Sequence, residues 1–207
     1  MIPRHQKILF SVLLAAALAM AGVLWHLRQR AHQRLLAGED SAPTKAPEVA
    51  PTERATLLVA NDADGSLLMQ ARSMPLPADP GARARVILGE LLDLYAAPDA
   101  AHPVSGGASG IAQVFLLPVV GSKTSSGDEL AVVNLTSNFA AGHPSGLETE
   151  TLTVLSICGT LRANLPHVTE VRFLVDGQQR PNLAGHADLT RTYLTADAAP
   201  AAGGSTQ

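Results

Sequence analysis

The residues of this chain that could do chemistry are one cysteine and seven histidines, because thiols and imidazoles are the usual nucleophiles, bases and metal ligands. Cys158 stands among apolar residues at helical spacing, where a thiol behaves as a small buried hydrophobe with a raised pKa. His186 follows Gly185 and precedes Asp188, and its ring is expected to bond to the backbone or to a nearby carboxylate. The sequence therefore predicts a packing role for Cys158 and a turn-stabilising role for His186.

The other candidate sites lack the spacing that their chemistry requires. His102, His143 and His167 occur singly, without the paired spacing of a zinc site. The single cysteine excludes an intramolecular disulfide and any multi-cysteine metal site. Ser156 lacks the glycine two residues before it that a nucleophile elbow needs. We therefore expect no catalytic, cofactor-binding or metal-binding residue.

The helix that would carry Cys158 has a predicted start and one apolar face. Ser145 and Glu148 stand at capping-box spacing, so Glu148 is interpreted as a cap. Glu148 and Glu150 lie two residues apart on a helix, and their side chains diverge instead of forming a dyad. The buried stripe is expected to contain Leu147, Thr151, Val154, Leu155, Cys158, Leu161 and Leu165.

A strand and a turn follow this helix. The apolar residues Val171, Phe173 and Val175 alternate with Glu170, Arg172 and Leu174. This alternation is typical of a half-buried strand. The pair Asp176-Gly177 then tolerates positive φ and predicts a tight turn. The segment 183–189 is the last part of this region of helix, strand and turn.

An earlier part of the chain contains a hairpin and a second helix. Residues 56–60 and 67–69 are predicted to pair as strands across a polar turn. Asp79 before Pro80 predicts a helix start. The buried stripe of that helix is expected to contain Ala84, Ile87, Leu88, Leu91 and either Leu94 or Tyr95.

This order of elements resembles the GerMN domain of bacterial spore-germination and sporulation proteins. The match covers most of residues 55–190, and Asn134 stands where an aspartate is usual in the family. The further segments that carry the resemblance are the strand pair, the helix with Leu91 and Leu92, the run Val114–Pro118 and the run Ala131–Phe139. The resemblance and the helix stripes together predict an α+β fold, with one mixed or antiparallel sheet of about five strands and two helices on one face.

Length and composition fit one globular domain with an appendage. The chain has 207 residues, of which 46% are hydrophobic and 16% charged. Its formal net charge is −3 and only 3% of its residues are aromatic, which argues against nucleic acid as a partner.

The appendage is predicted to be one N-terminal transmembrane helix. Residues 8–25 are eighteen positions without a charge, about the minimum for a bilayer span. A signal peptide cleaved after Ala19 is the alternative, but it would leave an apolar stub. The predicted organisation is a cytoplasmic N-terminus (1–7), a transmembrane or signal-anchor helix (8–25), a basic and Pro/Ala-rich linker (26–54), a GerMN-like domain (55–195) and a disordered tail (196–207).

The flanking charges leave the topology open. Arg4 and Lys7 precede the span, whereas Arg28, Arg30 and Arg34 follow it. The family resemblance implies that the domain is extracytoplasmic and held at the inner, or cytoplasmic, membrane.

The resemblance also implies a non-catalytic binding or assembly module of the cell envelope. Its partner would be an envelope protein, cell-wall material or a second copy of the chain. One alternative is a role in peptidoglycan hydrolysis beside an amidase, which would need a site around His186 and Asp188. Another is a small-ligand sensor lined by residues 96–110.

Overall fold

The computed structural model describes residues 20, 22–23, 51–119 and 127–198, and the chain forms two compact units, residues 1–48 and 49–207. In the first unit, Met20, Gly22 and Val23 are helical. The rest of the predicted membrane segment 8–25 lies outside the described residues, as does most of the linker 26–54. Within the residues that are described, none of the helices is both long enough and apolar enough to cross a bilayer.

The second unit is α+β, as predicted. Its strands are β1 (Thr52–Asn61), β2 (Ser66–Pro75), β3 (Ile111–Pro118), β4 (Glu129–Leu135), β5 (Val168–Val175) and β6 (Tyr193–Leu194). Its α-helices are α1 (Pro80–Tyr95), α2 (Ser137–Gly142) and α3 (Leu147–Asn164), with 3-10 turns at Gly107–Gly110 and Thr195–Ala198. The ordered elements thus extend beyond the predicted domain limits of 55 and 195 at both ends.

The expected single sheet is wrong, because the described strands form two sheets. β1 and β2 pair only with each other, in an antiparallel hairpin. The second sheet has the order β3-β4-β5-β6. Within it, β4 and β5 are parallel and the other two pairs are antiparallel.

Side chains of the helices explain why β1 does not join the second sheet. They bond to the outer edge of β1, where a further strand would otherwise pair. The backbone N–H of Thr56 donates to Asn164 Oδ1 and that of Leu58 to Thr160 Oγ1, each at 2.9 Å. At the far end, the N–H of Ala60 donates to the Tyr95 hydroxyl at 3.0 Å. These outward backbone groups are therefore satisfied without another strand.

The start of α1 agrees with the prediction, whereas the start of α3 does not. Asp79 caps α1 by accepting the Ala82 N–H at 2.7 Å. The N-cap of α3 is Gly146, which makes no side-chain cap hydrogen bond. The predicted capping box of Ser145 and Glu148 is therefore wrong, because the helix begins one residue later than that box assumes.

Helix α3 is also more enclosed than one apolar stripe predicts. Leu147 was expected inside but is 67% exposed, whereas Ser156 and Gly159, which are not part of the predicted stripe, are buried. A Cβ on Gly159 would lie 2.9 Å from the carbonyl oxygen of Ala198. The β1 hairpin and the Thr195–Ala198 turn thus cover the sides of α3 that a two-faced helix would leave in water.

The alternation of β5 and the turn after it are confirmed. Val171 and Phe173 are fully buried. Asp176 and Gly177 both have positive φ, 48° and 75°, as a type I′ turn requires. This sheet buries one face against the helices and leaves the other open.

Candidate functional site

A chain of polar side chains lies inside the second unit, where the sequence predicted only apolar packing. His102 and Thr153 are at most 1% exposed, and His143 is also buried. His102 comes from the segment between α1 and β3, His143 follows α2, and Thr153 lies on α3. Asp62 joins them from the turn between β1 and β2. We refer to these four residues as the buried relay.

The members of the buried relay are connected by an unbroken series of contacts. His102 Nδ1 lies 2.5 Å from Asp62 Oδ1, and His102 Nε2 lies 2.7 Å from Thr153 Oγ1. The same hydroxyl is 2.8 Å from His143 Nε2. His143 Nδ1 then lies 2.8 Å from the carbonyl oxygen of Pro144. The series begins at the exposed residue Asp62 and ends inside the fold.

Aromatic rings enclose the relay. The edge of Tyr95 packs against His102 with ring centroids 4.7 Å apart, and Phe139 packs against His143 at 5.7 Å. Burial lowers the pKa of His143, and burial raises the pKa of Tyr95 to about 12. Both shifts follow from the cost of charging a group away from water.

The order hydroxyl, imidazole, carboxylate is that of a serine-hydrolase triad, but the surroundings of Thr153 do not suit catalysis. Its hydroxyl is buried in the middle of α3. It also lies 3.1 Å from the carbonyl oxygen of Thr149 and is shared with His143. A substrate could not approach Oγ1 without opening the core, so this arrangement serves to join separate segments of the chain.

A second buried polar group is the carboxylate of Glu150 near the start of α3. Its Oε2 accepts the backbone N–H groups of Ala184, His186 and Ala187 at 2.8–3.0 Å. Its Oε1 accepts the Gly146 N–H at 3.2 Å and lies 2.9 Å from His186 Nδ1. Burial by itself would raise the pKa of Glu150, but these hydrogen bonds outweigh it and lower the pKa to about 2.

The predicted contact between the His186 ring and a nearby carboxylate is therefore present, and the carboxylate is that of Glu150. Asp188 does not join them, because it bonds instead to the backbone and hydroxyl of Thr190. The core position of Cys158 is confirmed as well, since the thiol is buried and burial raises its pKa.

Sequence reasoning missed the relay because its members are far apart in the chain. His102 is 40 positions from Asp62 and 51 from Thr153. His102 lies in a segment of small residues without a helix or strand pattern, although His102 and Val104 are buried. Across the described ranges, no three His, Cys, Asp or Glu side chains converge as a metal site would require.

A cleft of about 270 Å³ beside α1 touches the predicted sensor segment 96–110 only through Ala108. Its polar groups bond to the protein, since Asp93 accepts the Ala108 N–H at 2.6 Å and Glu90 pairs with Arg72 at 3.3 Å. These groups stabilise the scaffold. The cleft is lined by Arg85, Val86, Gly89, Glu90, Asp93 and Ala108.

The outward face of the second sheet is rich in apolar side chains. Phe115, Leu117 and Leu194 are each about half exposed. Cross-strand pairing aligns this face in two rows. One row is Phe115, Val132 and Arg172, and the other is Leu117, Leu130, Glu170 and Leu194. We call these seven residues the open face.

Comparison with known proteins gives one family match. The family described as Germane, sporulation and spore germination, matches residues 29–181. No curated protein matches the chain with significance.

The solved structures that are similar to the chain include the following three, each of low sequence identity. The tandem GerMN domains of the sporulation protein GerM from Bacillus subtilis have 14% identity and a TM-score of 0.43, with 71% of this chain and 48% of that one covered. The first GerMN domain of the same protein has 15% identity and a TM-score of 0.35, covering 67% and 93%. A Clostridium perfringens protein described as a lipoprotein has 20% identity and a TM-score of 0.33, covering 70% and 89%. The chain thus spans about half of the tandem structure.

Proposed function

Because the chain belongs to the Germane family of sporulation and spore germination, we propose that its second unit is a non-catalytic binding and assembly module of the bacterial cell envelope. The observation that carries this proposal is the open face. A contiguous group of exposed apolar side chains costs solubility, and in soluble domains it usually marks a contact with another macromolecule.

The open face has the composition of a protein contact. Phe115 and Leu117 supply exposed apolar side chains on the edge strand β3, and aromatic side chains are frequent anchors of interfaces. Glu170 and Arg172, which have opposite charges, lie two strands away on β5. Such charges fix the orientation of a partner more than they add affinity. The partner that suits this face is a protein with an apolar patch, a basic group opposite Glu170 and an acidic group opposite Arg172.

The position of the reactive side chains supports the non-catalytic part of the proposal. The hydroxyl of Thr153 and the carboxylate of Glu150 are buried and make internal hydrogen bonds. The thiol of Cys158 is in the core. A hydrolase that used one of these three groups would need it at a surface that a substrate can reach.

The proposal also includes a membrane anchor at the N-terminal end of the chain. The apolar residues 8–25 would hold the domain at the inner membrane as a single pass, with the second unit on the extracytoplasmic side. The sequence 26–54, rich in proline and alanine, would act as the spacer. Cysteine-accessibility labelling tests this topology: an introduced cysteine at Asp99 should react with a membrane-impermeant maleimide in intact cells, and protection until lysis would contradict it.

The binding role is tested by co-purification after crosslinking in the native host. In the double variant Phe115→Asp, Leu117→Asp, the yield of a specific crosslinked adduct with an envelope protein should fall at least tenfold. The matched variant Asp99→Lys, at an exposed position away from the open face, should retain it. Equal recovery from both variants would show that the open face is not the contact. A folded far-UV CD spectrum for each variant excludes misfolding as the cause.

A further inference from the structure

The outer edge of β2 is open to another strand. In an antiparallel ladder, the backbone groups of successive residues point alternately toward the partner strand and away from it. On β1, alternate N–H groups from Thr56 to Ala60 point away from β2, since helix side chains accept them. The same alternation on β2 directs outward the backbone groups of Leu67, Met69, Ala71 and Ser73. In the part of the chain that the structure describes, nothing bonds to these outward N–H groups.

The other strand edges of the two sheets are protected, whereas that of β2 is not. Helix side chains bond to β1, and β6 has only two residues. At β3, Arg85 Nε donates to the carbonyl oxygen of Ile111 at 3.4 Å, and the strand ends at Pro118. β2 has ten residues that pair with β1 without a register shift. Proteins usually shorten, bulge or cover such an edge, because a long and regular one pairs with another chain.

Both faces of β2 beside this edge are also accessible. Each residue from Leu68 to Ser73 is exposed, with Leu68 at 49% and Met69 at 66%. An incoming strand would therefore meet no described helix or loop on either side. Pro75 has no N–H group to donate, so it marks the end of the pairing strip. The open strip extends from Leu67 to Ser73 and is centred on Gln70.

We propose that the occupant of this edge is β2 of a second copy of the chain, paired antiparallel about Gln70. A two-fold rotation about Gln70 places Leu67 opposite Ser73 of the second copy, and Met69 opposite Ala71. Each of these pairs exchanges two hydrogen bonds, so every outward N–H of both strips gains a carbonyl partner. A register shifted by two residues would bring into the ladder either Pro75, which cannot donate, or Gly65, whose φ is 65°.

The side chains are self-complementary in this register. On one face, the long Met69 lies opposite the small Ala71. This leaves room for the Met69 side chains of the two copies to meet diagonally across the strands. On the other face, Leu68 lies opposite Arg72, whose aliphatic stem can cover it. Gln70 lies opposite itself, and its amide both donates and accepts.

The charges also allow two identical strands to pair. Arg72 is the one charged side chain of β2, and it pairs with Glu90 at 3.3 Å. In the proposed register the two copies of Arg72 lie four positions apart along the strands, about 13 Å. This exceeds the Debye length of about 8–10 Å at physiological salt, so like charges do not oppose the contact. The contact is separate from the open face, which belongs to the other sheet.

Disulfide formation between single-cysteine variants of the full chain in detergent micelles tests the register. The two Gln70 residues would form a non-hydrogen-bonded pair with Cα atoms about 4.5 Å apart, within the range for a disulfide. Under mild oxidation, Gln70→Cys should form a covalent dimer. The matched control Leu68→Cys should not, because its two copies lie about 13 Å apart. A mixture of Leu68→Cys and Arg72→Cys, which are opposite each other, should form the mixed dimer. Cys158 does not interfere because it is buried.

Equal dimer yields from Gln70→Cys and Leu68→Cys, or no dimer from either, would overturn the proposal. So would a disulfide of Gln70→Cys with a different protein in native-host membranes in place of the dimer.

A second measurement separates this contact from the open face. Met69→Lys, added to Gln70→Cys, places two like charges diagonally across the strands and should lower the yield of covalent dimer by about tenfold. Leu194→Lys, an exposed position of the open face, should leave the yield unchanged. Equal loss with both lysine variants would contradict pairing through β2. Far-UV CD spectra of the variants check that each is folded.

Discussion

The carboxylate of Glu150 lies 2.9 Å from Nδ1 of His186, which joins the first turns of α3 to the last loop of the domain. The same carboxylate accepts three backbone N–H groups of that loop. The buried carboxylate of Glu150 therefore organises the segment 183–189, which is one part of the region that resembles the family.

The amide Glu150→Gln should lower the free energy of unfolding by about 2–3 kcal/mol, because its NH₂ group faces N–H donors that need an acceptor. Urea denaturation measures this change. Glu148→Gln, on the exposed side of the same turn, is the control and should change stability by less than about 0.5 kcal/mol. Equal effects of the two substitutions would refute the role assigned to Glu150.

Stability should also depend on Glu150 at acidic pH. Its pKa is lowered in the folded state from 4.5 to about 2, so the ionised form stabilises the fold. That contribution is fully present above pH 4.5 and is lost as the pH falls toward 2. Acid titration of the wild type and Glu150→Gln, followed by CD, should show a steeper loss for the wild type. Parallel curves would mean that Glu150 is not the group responsible.

The edge of β1 should be sensitive to Thr160, whose hydroxyl accepts the buried Leu58 N–H. Thr160→Val keeps the shape of the side chain but leaves that donor without a partner. We expect a loss of about 1–3 kcal/mol in unfolding free energy. Thr151→Val, on the same helix with its hydroxyl bonded only to the carbonyl oxygen of Leu147, should cost less. The prediction fails if hydrogen exchange at Leu58 is no faster in Thr160→Val than in the wild type.

Cys158 should be unreactive in the folded chain. The thiol is buried, and burial raises its pKa, so little thiolate is present or accessible. Maleimide labelling monitored by mass spectrometry should give no adduct under native conditions and one adduct in denaturant. Rapid native labelling would mean that α3 opens or that the core assignment is wrong.

The elements that depend on local patterns could be predicted from the sequence. Asp79 and Pro80 specify the start of α1, and the alternation of Val171 and Phe173 specifies a half-buried strand. These signals act over a few residues, and at these positions the tertiary structure agrees with them.

The sequence could not show the contacts that depend on distant segments. Nothing near Glu150 marks it as buried, since three of its four backbone donors come from residues 184–187. His102 likewise meets Thr153 only after the hairpin, α1 and α3 have packed. The split into two sheets depends on Thr160 and Asn164 reaching the edge of β1, which a strand pattern does not encode.

The central claim, that the open face contacts another envelope component, is tested most directly by a photo-crosslinking residue at Leu117 in the native host. The account predicts an ultraviolet-dependent adduct with one extracytoplasmic protein or a second copy of the chain. The same photo-crosslinking residue at Asp99 should give no such adduct. Absence of an adduct at Leu117, or equal adducts at both positions, would contradict the binding role.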